Sequence, residues 1–166
     1  MRRANGDKRG LIALSGSATV TGNTDDCCGG GIQISGSTLT MKDSSSVRGN
    51  SATNFHGGGI YCHRGKIRLM DSSMVRGNSA GGRGGGIFNR STLTLSGSSS
   101  VRGNEAAGRG GGIFNRAGGV RLKDRSSVKR NTTGVRGGGI YNDQGGVTLT
   151  DSSFVKRNIP DNCVHC

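Results

Sequence analysis

Apolar residues along this chain fall into columns once it is folded back on itself about every 27 positions. The marker is Val-x-x-Asn, found at Val20/Asn23, Val47/Asn50, Val75/Asn78, Val101/Asn104, Val128/Asn131 and Val155/Asn158. Eleven positions before each Asn stand Ile12, Leu39, Ile67, Leu93, Val120 and Val147, and nine before stand Leu14, Met41, Leu69, Leu95, Leu122 and Leu149. A second marker, Gly-Gly-Gly-Ile, supplies Ile32, Ile60, Ile87, Ile113 and Ile140. Within a repeat the apolar residues alternate with polar ones, as in Leu93-Thr94-Leu95, which is the period of a strand and not of a helix. Each repeat therefore predicts three short strands, at Ile-(Phe/Tyr)-Asn, at Leu-Thr-Leu and at Ser-Ser-Val, separated by turns rich in Gly, Asp, Asn and Ser.

Strands repeating at a fixed period of this length describe a solenoid. The expected fold class is all-β: a parallel β-helix of five to six coils in which like residues stack about 4.8 Å apart. One coil buries too few apolar groups to stand alone, so neighbouring coils complete the core. The repeats cover 11–158. Residues 1–10 are expected to form an N-terminal cap or tail, and 159–166, with the only proline at Pro160, a C-terminal one.

Composition changes the picture only when set against this periodicity. Leu, Ile, Val and Phe make up 31 of 166 residues and the formal net charge is +13, a combination that marks disordered chains. Yet 22 of those 31 residues occupy the four columns, an order that a disordered chain has no reason to keep. Glycine, 33 residues in all, belongs to the repeat as well: Gly-Gly-Gly suits a tight corner where successive backbones approach closely. A phosphate-binding glycine loop would instead lead into a helix, and no helical pattern follows. The column Asn23, Asn50, Asn78, Asn104, Asn131 and Asn158 is expected to form a hydrogen-bonded ladder along the stack, and Asn89, Asn115 and Asn142 a second one with Cys62 in line.

The alternation of Gly-Gly-Gly-Ile with Val-x-x-Asn resembles the paired Gly-Gly-Ala-(Ile/Leu/Val) and Phe-x-x-Asn repeats of the polymorphic outer-membrane proteins. It does so over 29–158, with Gly in place of the motif Ala and Val in place of the motif Phe. That resemblance implies a right-handed parallel β-helix of the pectin-lyase-like type, carried as the passenger of a surface autotransporter. The expected setting is then extracellular or cell-surface, although the chain opens without a signal-peptide pattern. No run of 18 apolar residues predicts a transmembrane helix.

The columns also order the charge. Two positions before the Asn stand Arg48, Arg76, Arg102, Lys129 and Lys156, flanking the inward Val and therefore expected to face outward, with Arg130 and Arg157 beside the last two. A further basic column, His56, Arg83, Arg109 and Arg136, precedes the glycines. Two accounts fit: a solvated face that discourages edge-to-edge association, or a stripe that attracts an anionic polysaccharide such as a cell-surface glycan. Specific nucleic-acid recognition is not expected, since no binding motif accompanies the charge.

Catalytic chemistry finds little footing. Asp43, Asp71, Asp124 and Asp151 share a column with Gly16 and Gly97, and Asp exchanging with Gly is the mark of a turn. Cys163, His165 and Cys166 resemble half of a zinc site, but Cys27 and Cys28 lie at the far end of the stack; a Cys163–Cys166 disulfide or an end cap competes with metal. No cofactor is expected. The leading expectation is a non-enzymatic, adhesin-like or structural surface protein. A polysaccharide lyase or hydrolase, and a partial gene product without activity of its own, are the alternatives.

Overall fold

A computed structural model describes residues 10–166; the expected N-terminal cap therefore lies, but for Gly10, outside the described residues. The chain is a parallel β-solenoid of about six turns, with three strands to a coil. The first sheet stacks Leu11–Leu14, Ile32–Met41, Ile60–Leu69, Ile87–Asn89 with Thr92–Leu95, Ile113–Leu122, Ile140–Leu149 and finally Cys163–Val164. The second stacks Thr19–Thr21, Ser46–Arg48, Met74–Arg76, Ser100–Arg102, Ser127–Lys129 and Phe154–Lys156. The third is built of two-residue strands: Thr24–Asp25, Ser51–Ala52, Ser79–Ala80, Glu105–Ala106 and Thr132–Thr133.

The three strands differ in placement from the sequence expectation. Ile-(Phe/Tyr)-Asn and Leu-Thr-Leu are not two strands at a corner but parts of one ten-residue strand in most coils. In the coil that begins at Ile87 the segment is one residue shorter, and an Asx-type exchange breaks it: Asn89 Nδ2 donates to Ser91 O at 2.9 Å and Ser91 N donates to Asn89 Oδ1 at 3.2 Å. The strand that was missed carries a single inward small residue, Ala52, Ala80, Ala106 or Thr133, all buried. Two residues are too few to show a period.

The core holds the expected columns. Leu39, Ile67, Leu93 and Val120, like Met41, Leu69, Leu95 and Leu122, are buried in one cluster with Val47, Val75, Val101 and Val128. Partners sit in register, Leu39 on Ile67 and Val75 on Val101, so each apolar side chain covers the next. The glycine triplets let the asparagines sit beneath them: a Cβ on Gly86 would stand 2.6 Å from Gly112 O and 2.9 Å from Asn104 Nδ2.

Candidate functional site

Asn50, Asn78, Asn104, Asn131 and Asn158 are buried and joined head to tail. The first four each donate both the backbone N–H and Nδ2 to the Oδ1 of the Asn one coil on; for Asn78 onto Asn104 the distances are 3.0 and 2.9 Å. The same Nδ2 reaches back to a valine carbonyl of the preceding coil, Asn104 to Val75 O at 3.1 Å. Asn23 begins the series and Asn158 donates to Asn162 Oδ1 at its end, at 3.1 Å from N and 3.2 Å from Nδ2. The shorter ladder runs Asn89, Asn115, Asn142 at 2.7 Å per step and ends on His165 O. Cys62 lies in its line, fully buried, and burial pushes its thiol up to about 11. These asparagines hold coils together and leave nothing for a ligand.

The aspartate column is a row of turns. Asp43, Asp71, Asp124 and Asp151 have φ between 54° and 59°, matching Gly16 at 61° and Gly97 at 64° in the other coils. Their carboxylates accept backbone N–H groups from the neighbouring coil, Gly16 onto Asp43 at 2.8 Å and Asp124 onto Asp151 at 3.0 Å. The Asp124 N–H, followed by the Thr150 hydroxyl, holds the Asp151 carboxyl below its ordinary range. At the C-terminus Cys163 and Cys166 are joined as a disulfide, so their sulfurs are not free thiolates beside His165. Among the described residues no three His, Cys, Asp or Glu side chains converge as a metal-binding group.

The two basic columns have different roles. The one that precedes the glycines was expected to face solvent as charge; instead it covers an aromatic stack. Tyr61, Phe88, Phe114 and Tyr141 run up the outer side of the first sheet with ring centroids 5.1, 5.3 and 5.4 Å apart. The His56 ring stacks on Phe88 at 4.7 Å, and the Arg83 and Arg109 guanidiniums lie 5.1 and 5.0 Å from the Phe114 and Tyr141 centroids. Burial, then the Arg83 charge, holds His56 below the ordinary histidine range, as expected for a neutral ring seated on an aromatic face. Phe88, Phe114 and Tyr141 are buried and Tyr61 is partly buried, so the stack offers little free ring face. Their own period of 26–27 residues was visible in the chain and is the signal that could have found them.

The other column is the candidate site. Arg48, Arg76, Arg102, Lys129 and Lys156 are paired strand to strand in register on the outer face of the second sheet. Beside them on that face run Ser46, Met74, Ser100, Ser127 and Phe154. The charged ends reach the larger of these: Arg102 Nη2 is 3.3 Å from Met74 Sδ, and the Lys129 and Lys156 ammonium groups lie 5.7 and 4.2 Å from the Phe154 centroid. Arg130 and Arg157 occupy the next column, where the preceding coils carry Gly22, Gly49, Gly77 and Gly103, and all six share the left-handed backbone at φ 54–69°. No protein-family model matches the chain, and comparison with curated proteins and with solved structures found no match.

Proposed function

We propose that this protein is a non-enzymatic surface or secreted solenoid that binds an anionic glycan laid along the basic ladder of its second sheet. The observation that carries the reading is the in-register stacking of Arg48, Arg76, Arg102, Lys129 and Lys156. Five like charges in one outward column repel one another, more so at low salt, and a counter-charge laid along the row relieves that repulsion. A linear polyanion running parallel to the solenoid axis supplies one, and a low-dielectric sheet behind the row strengthens the attraction.

Catalysis is not part of the proposal, since the stacked carboxylates of Asp43, Asp71, Asp124 and Asp151 are taken up by turn N–H groups. A glycosidase acid needs its proton held at neutral pH, whereas Asp151 is shifted the other way. Retention on a heparin-type column through about 0.15 M salt is the expected result; elution below that concentration would sink the reading.

A further inference from the structure

The glycine column beside the ladder is an open strip, with no atom within 4 Å of where a Cβ on Gly77 or Gly103 would lie. Arg130 closes one end of it. Arg76, Gly77, Arg102, Gly103 and Arg130 together line a recess of about 240 Å³. Arg130 adopts φ 54°, a conformation in which a side chain crowds its own backbone and which glycine supplies freely in the coils before it. Placing arginine there is unfavourable for folding, and it makes Arg130 the third arginine to line the recess. Arg76 Nε, moreover, is shielded from solvent and has no hydrogen-bond partner. Turning that N–H into the recess breaks no existing bond.

We infer that this recess is a subsite for one tetrahedral oxyanion ester, a sulfate or phosphate group carried on the glycan. Three arginines line the recess, and the several N–H donors of their guanidiniums suit the three terminal oxygens of such an ester, whereas a planar carboxylate presents two. The inference rests on the ladder being the glycan-binding face and assigns the chemistry of one position on it. Strain retained at Arg130 is the price of that third donor.

The test compares Arg130→Gly with Arg121→Thr, which removes the same charge from the outer face of the first sheet, where Thr94 and Thr148 stand in neighbouring coils. Binding is read with a sulfated heparin oligosaccharide and with the same chain desulfated but retaining its carboxylates. Arg130→Gly is expected to raise the denaturation midpoint and yet weaken binding of the sulfated chain about tenfold or more. Arg121→Thr should weaken it only slightly, and the desulfated chain should bind wild type at least about tenfold less tightly. Competition by sodium sulfate and by sodium phosphate, each matched in ionic strength to chloride, tells which ester fits the recess. Equal losses in the two variants, or equal binding of the desulfated chain, overturn the subsite while leaving the ladder reading intact. A lowered midpoint in Arg130→Gly overturns the account of that residue as strained. Failure of wild type to bind any of these chains removes the ladder reading and the subsite together.

Discussion

Replacing Asn104 by alanine removes more than one side chain's worth of bonding. Its Oδ1 accepts from Asn78 N at 3.0 Å and Asn78 Nδ2 at 2.9 Å, while its Nδ2 donates to Asn131 Oδ1 at 2.9 Å and Val75 O at 3.1 Å. Alanine deletes all four and leaves the Asn78 N–H buried without its partner. At about 1 kcal/mol per neutral bond, with the orphaned donor at the upper end, the loss comes to about 4 kcal/mol. That is a large share of the ~5–15 kcal/mol typical of a folded domain. Asn23 provides the control, because it lies half-exposed and, among the described residues, accepts from no earlier rung. Asn23→Ala loses two Nδ2 bonds that water can replace, and should cost about 1 kcal/mol. Urea denaturation followed by far-UV circular dichroism measures both, and native-state exchange of the Asn78 amide reports the orphaned donor directly. Because stability in a solenoid is nearly a sum over neighbouring coils, the central lesion should also lower the m-value as the two halves unfold apart. A cost for Asn104→Ala below about 1 kcal/mol, or equal to that for Asn23→Ala, would refute the ladder as the chief polar tie between coils.

The glycine corners give a sharper steric contrast. Gly86→Ala brings a Cβ to 2.6 Å from Gly112 O and should cost about 3 kcal/mol or more, whereas Gly134→Ala meets open space and should stay within about 0.5 kcal/mol of wild type by the same denaturation assay. At the C-terminal end, Asn162→Ala removes the acceptor for Asn158 N and Nδ2; a loss of about 1–2 kcal/mol is expected, with exchange quickening first in the last coil. The histidines set a pH dependence. His56 and His63 are held below the ordinary value of 6.5 by burial and then by neighbouring arginines, so the unfolded chain binds protons first as pH falls. Their contribution is fully present above about pH 6.5 and is lost as the pH drops through their folded values; a double His→Gln variant should show a flatter stability profile between about pH 7 and 5.

Much of the fold was legible in the order of residues because a solenoid is nearly one-dimensional. The contacts of Leu93 are with Ile67 and Val120, which stand in the same column of the sequence, so period and packing carry the same information. The Asp column was legible for a related reason: Asp and Gly exchange only where the backbone turns left-handed, and these positions do so at φ 54–64°. The candidate site was half legible. The ladder from Arg48 to Lys156 could be counted off the chain, but its sister column His56, Arg83 and Arg109 has the same charge pattern and a different role. What separates them is the aromatic row of Phe88, Phe114 and Tyr141 beneath the second set.

The chain by itself thus determined the coil length, the large apolar columns that face inward, the stacked asparagines and the charge column, since each is a matter of what recurs. Only the tertiary structure decided the features that do not recur. Asn162 ends the long ladder four residues after Asn158 instead of a full coil later, and His165 lends a backbone carbonyl that no side-chain pattern reveals. Arg130, like Arg157 after it, stands in a glycine position, but only the fold shows Gly77, Gly103, Arg76 and Arg102 lining one recess with it across three coils. Repetition writes itself into sequence because every coil obeys the same packing rule; caps and recesses arise where the rule is broken, and there only the positions of neighbouring chains in space say what the break accomplishes.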